Sequence, residues 1–199
     1  MRSCLSAIPV LLLLTLLPAS LDAGTVTLDF EGFPDSTPLT TQYPGLTFTN
    51  TTVITAGISL NEFEFPPHSG SNVVFDDGGP ISISFASPVL SFSGFFTNSV
   101  PLTLAAFDAS SAQVGSAVSA FSSNLALSGD PGSSPNEFLS VSFASGISSV
   151  TITGDPAGGS FVLDDAAYST ESSTVPEPSS MALLLSGIIS FAASKRRMK

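Results

Sequence analysis

Apolar and polar residues alternate along much of the chain with a period of two, the pattern of a strand that buries one face and leaves the other in water. Between Thr25 and Glu31, the apolar Val26, Leu28 and Phe30 alternate with Thr27, Asp29 and Glu31. The same pattern returns at Ile81, Ile83 and Phe85 with Ser82 and Ser84 between them, at Leu139, Val141 and Phe143 with Ser140 and Ser142, and at Val150 and Ile152 with Thr151 and Thr153. Each run has one core face and one hydroxyl face. Further strands are expected over residues 46–49, 73–75, 90–96, 102–107, 114–121 and 161–168. Turn residues punctuate them at Asp76-Asp77-Gly78-Gly79-Pro80, Asp130-Pro131-Gly132 and Asp155-Pro156-Ala157-Gly158-Gly159. Residues 122–135 are polar, broken by glycine and proline, and are expected to form a surface loop. No amphipathic helical period occurs between Gly24 and Pro178, and no repeat falls at solenoid spacing. The expected fold class is therefore all-β, an antiparallel β-sandwich or jelly roll, with the sixteen phenylalanines filling most of the space between two sheets.

Both ends of the chain break this pattern. Arg2 precedes an apolar run from Ile8 to Leu17, and Pro18 to Ala23 have the polar character of a cleavage region, so residues 1–23 read as a signal peptide and the mature chain is expected to begin near Gly24. Cys4 lies before the apolar run rather than after it, which argues against a lipoprotein anchor. At the other end, Val175-Pro176-Glu177-Pro178 forms a stiff spacer, because each proline removes a donor and holds its predecessor extended. The next sixteen residues carry no charge, and Lys195-Arg196-Arg197-Met198-Lys199 closes the chain. As a helix that stretch measures roughly 24 Å, a short span for a ~30 Å hydrocarbon core unless Lys195 snorkels or the bilayer thins. The basic cluster is expected to stay cytoplasmic, with everything upstream across the membrane. Three regions follow: residues 1–23, a β-domain over residues 24–172, and a C-terminal segment over residues 173–199 with its transmembrane helix.

The charges divide along the same boundaries. All five basic residues, Arg2, Lys195, Arg196, Arg197 and Lys199, lie in the end segments. Fifteen of the sixteen acidic residues, all but Asp22, lie between Gly24 and Pro178, together with His68 and no lysine, arginine or cysteine. A body without cations is a poor partner for nucleic acid or an anionic membrane surface. Without cysteine it has no disulfide framework, thiolate metal site or cysteine nucleophile. Divalent cations are its natural counterions.

Three places invite a chemical reading. Asp29 and Glu31, two apart on an expected strand, would point to one face roughly 7 Å apart. If the first and last strands pair, Asp164 and Asp165 would add oxygens to a calcium site. The same four residues read more simply as ordinary solvated acids at strand ends. Asp76-Asp77-Gly78-Gly79 lacks the spacing of a calcium-binding loop and reads as a tight turn. His68, the single histidine, sits in Phe65-Pro66-Pro67-His68-Ser69-Gly70 and reads as plain surface, because no Gly-x-Ser-x-Gly elbow accompanies it. One histidine without cysteine is too little for zinc. With no tryptophan and only Tyr43 and Tyr168, the chain is poor in the flat aromatics that stack sugars in a glycosidase.

The tail Val-Pro-Glu-Pro-Ser-Ser, its apolar stretch and its terminal Lys-Arg-Arg resemble the PEP-CTERM sorting domain of exported bacterial proteins, a C-terminal domain that is also labelled an ice-binding protein C-terminus. The resemblance implies recognition of Pro176, Glu177 and Pro178 by an exosortase of the inner membrane and removal of the hydrophobic segment. Delivery to the cell surface or to an extracellular polysaccharide matrix would follow. Leu28-Asp29-Phe30-Glu31-Gly32, Phe107-Asp108-Ala109-Ser110, Gln113-Val114-Gly115-Ser116 and Val162-Leu163-Asp164-Asp165 are similar to pieces of jelly-roll carbohydrate-binding modules. Three functions follow as expectations. The first is a non-enzymatic structural or adhesive surface protein. The second is a calcium-dependent carbohydrate-binding module acting on exopolysaccharide. The third is an ice-binding surface, suggested by Thr25 and Thr27, Thr47 and Thr49, and Thr151 and Thr153.

Overall fold

The computed structural model describes residues 24–170. Ten strands follow one another along the chain: β1 (Thr25–Leu28), β2 (Thr37–Pro38), β3 (Leu46–Thr49), β4 (Thr51–Thr55), β5 (Asn72–Asp76), β6 (Ile81–Asn98), β7 (Thr103–Phe107), β8 (Gln113–Val118), β9 (Glu137–Thr153) and β10 (Phe161–Thr170). Every ladder between them is antiparallel, in the order β2-β4-β5-β10-β6-β9-β7-β8, with β1 added to β10 and β3 to β6. The described residues contain no helix.

The sheet folds over because its two longest strands bend. β6 and β9 pair from Ile81↔Ile152 to Ser84↔Ser149 and again from Ser91↔Ser142 to Phe96↔Glu137, with register shifts between. Extra residues that match no partner bend a strand and sharpen its twist. Pro88 and Gly146 sit in these irregular stretches and meet there: a Cβ added to Gly146, whose φ is 99°, would stand 2.7 Å from the Pro88 Cβ. One half of the fold is therefore β3, the start of β6, the end of β9, β7 and β8. The other is β4, β5, β10, the end of β6 and the start of β9. Asn50, with a φ of 55°, turns the chain from β3 in the first half to β4 in the second.

The inward side chains of both halves form a single apolar cluster. Ile81, Ile83, Leu104, Val150 and Ile152 come from the first half and Val53, Val74, Phe92, Phe96, Leu139 and Leu163 from the second. Each large side chain taken fully out of water here stabilises the fold by about 1.5–3 kcal/mol. A smaller apolar cluster of Leu60, Val73 and Val162 lies under residues 56–71, on the outer side of β5 and β10.

The period-two runs in β6 and β9 became strands with the expected faces inward, whereas Val26 of β1 is exposed; the first and last strands do pair, from Thr25↔Ser169 to Leu28↔Ala166. Two expectations change. Runs read as separate strands are continuous in β6 and in β9. The strand expected to reach Glu31 stops at Leu28, because Phe30 turns left-handed with a φ of 60° to bury its ring completely. β4 escaped the alternation because Thr51, Thr52 and Val53 are all buried, which erases a period of two.

The loop expected over residues 122–135 is irregular but not merely a surface feature. Asn124 is fully buried in it. Its Oδ1 accepts the Asn98 N–H at 2.6 Å and its Nδ2 donates to the Phe96 carbonyl at 2.9 Å.

Candidate functional site

The outer face of the β3-β6-β9-β7-β8 half is a grid of hydroxyl groups. Register fixes its rows: Thr49 stands opposite Ser82, Ser82 opposite Thr151, Thr151 opposite Ala105 and Ala105 opposite Ser116. The next row runs Thr47, Ser84, Ser149, Phe107 and Gln113, and Thr153, Thr103 and Val118 continue the face beyond the first. Neighbouring strands are about 4.8 Å apart and same-face residues about 6.7 Å, so the grid is regular in two directions. Within it the Ser82 and Thr151 hydroxyls are 3.4 Å apart. None of the residues forming these strand segments is charged. In a body whose only abundant ionisable groups are acids, this face is neutral.

A shallow cleft of about 330 Å³ borders the grid, lined by Thr41, Tyr43, Gly45, Leu46, Thr47, Ser84, Phe85 and Ala86. Tyr43 is half-buried, its ring edge-on to Phe33 at 5.4 Å and to Phe30 at 6.1 Å. Burial pushes its phenol above the ordinary value, so it remains a neutral hydroxyl in neutral solution. The cleft thus joins an aromatic edge to the hydroxyl rows at Thr47 and Ser84.

The carboxylates singled out from the sequence lie elsewhere, on both sides of residues 68–72. β10 changes partner at this point: Val162 and Leu163 pair with β5, whereas Ala166 to Ser169 pair with β1. A bulge marks the switch, with Asp165 left-handed at a φ of 43°. It turns Asp164 and Asp165 toward the same loop. Asp164 Oδ2 accepts the N–H groups of His68 at 2.7 Å and Ser69 at 2.9 Å, and its Oδ1 accepts that of Asp165 at 2.7 Å. Its side chain is only 1% exposed, and burial pushes its carboxyl up to about 6 against these donors.

From the other side, Glu31 Oε1 accepts the N–H groups of Ser71 at 2.8 Å and Asn72 at 2.7 Å. Asp29 accepts the N–H of Glu31 at 3.3 Å. Asp29 and Glu31 do not share a strand face, since β1 has ended before them. Glu31, Asp164 and Asp165 meet one loop, residues 68–72, whereas Asp29 accepts from Glu31 beside it. Among the described residues no group of three or more histidine, cysteine, aspartate or glutamate side chains is arranged to hold a metal ion.

His68 is more than plain surface. Its imidazole stacks on Phe95 with centroids 3.5 Å apart, and Nδ1 lies 2.7 Å from Asp165 Oδ2. The Ser69 hydroxyl donates to the other oxygen of the same carboxylate at 3.0 Å, so serine and histidine share an acceptor instead of bonding to each other. That arrangement leaves the serine without a base. Asp76, expected in a turn, is the last residue of β5 and fully buried. Its carboxylate accepts the Ser160 N–H at 2.8 Å, the Ser160 hydroxyl at 2.7 Å and the Phe161 N–H at 3.1 Å, clamping the start of β10.

The sorting residues Val175, Pro176, Glu177 and Pro178, the basic Lys195, Arg196, Arg197 and Lys199, and the expected signal peptide lie outside the described residues. So does the expected membrane span; among the described residues no helix is long and apolar enough to cross a membrane. For the C-terminal part the decisive finding is a match of residues 174–197 to the family model of the PEP-CTERM protein-sorting motif. The chain ends in a PEP-CTERM tail. A PEP-CTERM protein is exported, held transiently in the membrane for an exosortase, and passed to the cell surface or matrix.

The β-domain upstream of the PEP-CTERM tail has similar solved structures. The K2 cleaved adhesin domain of Lys-gingipain is 14% identical, with 73% of this chain and 99% of that one covered and a TM-score of 0.46. A DUF4465 family protein from Bacteroides caccae is 11% identical over 74% of this chain and all of that one, with a TM-score of 0.48. A mutant family 29 carbohydrate-binding module complexed with mannohexaose is 12% identical over 75% of this chain and 94% of that one, with a TM-score of 0.41. A comparison with curated proteins finds no match.

Proposed function

We propose that the β-domain, a sandwich of jelly-roll type, is a non-enzymatic adhesive module. Once delivered by its PEP-CTERM tail, it lays a neutral hydroxyl face against the exopolysaccharide of the matrix. The observation that carries this reading is the uncharged grid of serine and threonine hydroxyls with the Tyr43 cleft at its border. Neutral polysaccharide offers hydroxyls at repeating intervals, and an array of short, stiff donors and acceptors meets them at small entropic cost. The roles of the carboxylates agree with a scaffold. Glu31, Asp76 and Asp164 are engaged by backbone N–H groups of the loops they hold.

The test is co-sedimentation of the exported protein with purified exopolysaccharide, with and without calcium. Thr47→Glu and Thr151→Glu put charge on exposed or half-exposed positions of the grid and are expected to abolish retention while the melting temperature holds. Retention unchanged in both variants would refute the proposed face. A requirement for calcium would return the carboxylates around residues 68–72 to the binding chemistry.

A second reading, ice binding, is favoured by one observation. The pairs Thr47 and Thr49, and Thr151 and Thr153, lie on the same face, separated by the β6 row of Ser82 and Ser84. Thermal hysteresis measured on the exported protein tests it, and its absence would remove it.

A further inference from the structure

The free edge of β8 continues the hydroxyl face, and among the described residues no strand pairs with it. β8 pairs with β7 from Thr103↔Val118 to Phe107↔Gln113. The Ser119 N–H donates to the Leu102 carbonyl at 3.0 Å, which sets the phase of the ladder. Because bonded pairs alternate along an antiparallel ladder, Ala117 and Gly115 turn their backbone groups to β7 while Ser116 and Val118 turn theirs outward. Among the described residues the N–H groups of Ser116 and Val118 have no backbone partner.

Two other edges of the fold, β3 and β2, are closed. On β3 the outward N–H groups of Leu46 and Phe48 are taken by the carbonyls of Tyr43 at 3.1 Å and Thr40 at 2.7 Å. β2 is two residues long and contains Pro38, which cannot donate. β8 has no charge and no proline to discourage pairing, and its one bulge lies at Val114, away from Ser116 and Val118.

We infer that β8 pairs edge to edge with β8 of a second copy of this chain, antiparallel and centred on Ser116. Charge favours this occupant. The chain carries fifteen acids between Gly24 and Pro178, yet it has no ionisable side chain from Ala109 to Gly129 or from Phe138 to Gly154. Of the two acids between those stretches, Glu137 has its carboxylate engaged by the Ser119 hydroxyl at 2.5 Å and the Ala120 N–H at 2.9 Å, and Asp130 accepts the N–H groups of Ser122 and Ser123 at 2.9 and 3.1 Å. Two copies that repel one another elsewhere meet here without opposing charges. Antiparallel pairing about Ser116 covers Val118, which is 61% exposed, whereas Val114 packs against its own core. The two hydroxyl faces then join into one continuous sheet surface.

The exported protein is expected to show a reversible monomer–dimer equilibrium in sedimentation velocity. Val118→Glu, at an exposed position, is expected to weaken association about tenfold or more without lowering the melting temperature. Ser116→Cys places a thiol in a body that has none. Directly opposed residues of a bonded antiparallel pair have Cα atoms about 5.5 Å apart, within disulfide reach. Mild oxidation should therefore cross-link Ser116→Cys and leave Ser110→Cys, in the turn away from the edge, uncross-linked. A monomer at every concentration, a Val118→Glu dimer as tight as the parent, or equal cross-linking of the two cysteine variants would each overturn the inference. Polysaccharide is absent from these measurements, so their outcome is independent of the proposed adhesion.

Discussion

His68 lies flat on Phe95, with ring planes 9° from parallel and centroids 3.5 Å apart. The contact joins residues 27 positions apart in sequence and pins the 56–71 loop to the outer side of β6. The pairing of Nδ1 with Asp165 holds the ring in that plane. Removal of the ring in His68→Ala is expected to cost about 2 kcal/mol, from the loss of an aromatic contact and of a hydrogen bond that partial exposure weakens. His68→Phe keeps the stack and loses the bond, so its stability should lie between. Urea melts of the three proteins check the order, and a His68→Ala variant as stable as the parent would show that the loop is held by its carboxylate contacts alone.

Acidity should stabilise the domain before it harms it. Burial pushes Asp164 up to about 6 and raises Asp76, so the folded state holds these protons more tightly than the unfolded chain does. Their cost is full at neutral pH and fades as pH falls from about 6 toward 3.8, where the unfolded carboxyl also protonates. For Asp164 the gain is on the order of 2 kcal/mol. Three exposed acids act the other way. The Ser59 hydroxyl holds Asp35 below its ordinary value, the Leu127 N–H does so for Glu64, and the Ser110 hydroxyl for Asp108. Their contribution is present above the ordinary carboxylate range and is lost as pH falls through their folded values. The melting temperature should therefore be higher near pH 5 than at pH 7.5, and fall again near pH 3. A flat or falling profile from pH 7.5 to 5 would contradict the environments of Asp164 and Asp76.

Calcium is expected to leave the melting temperature unchanged. To bind Glu31 and Asp164 it would have to displace the N–H donors of residues 68, 69, 71 and 72, and a desolvated N–H without an acceptor costs about 1–3 kcal/mol. Differential scanning fluorimetry with millimolar calcium and with chelator checks this. A calcium-dependent rise that Asp29→Asn and Asp164→Asn remove would establish a cation site instead.

The faces of β6 and β9 were legible in the sequence. Ser82, Ser84, Thr151 and Thr153 point outward as their alternation with Ile81, Ile83, Val150 and Ile152 requires. What joins these strands into a single neutral grid was not legible, because it depends on register between segments as distant as Thr49 and Ser82 or Ala105 and Thr151. The role of the acids was hidden for another reason. Composition shows which carboxylates lack cations, but not that backbone N–H groups supply their partners. Phe30 illustrates the local limit: its place in the apolar alternation is correct, yet it reaches the core through a left-handed turn that separates Asp29 from Glu31.

The bend between the two halves depends on Gly146. Its φ of 99° is open to glycine and strained for any side chain, and a Cβ would meet the Pro88 Cβ at 2.7 Å. Pro88 belongs to β6, and its ring fixes Cβ to the backbone, so that atom cannot swing aside. Gly146→Ala should therefore cost about 2 kcal/mol or more, combining the left-handed penalty with the clash. The companion variant Pro88→Gly removes the Cβ that the new side chain would meet but not the strain. The double variant should recover only the part of the loss due to the clash. A double-mutant cycle by urea unfolding separates the two. If Gly146→Ala alone were neutral, β6 and β9 would have to bend elsewhere, and the packing of Phe92 and Ile147 against one core would need another explanation.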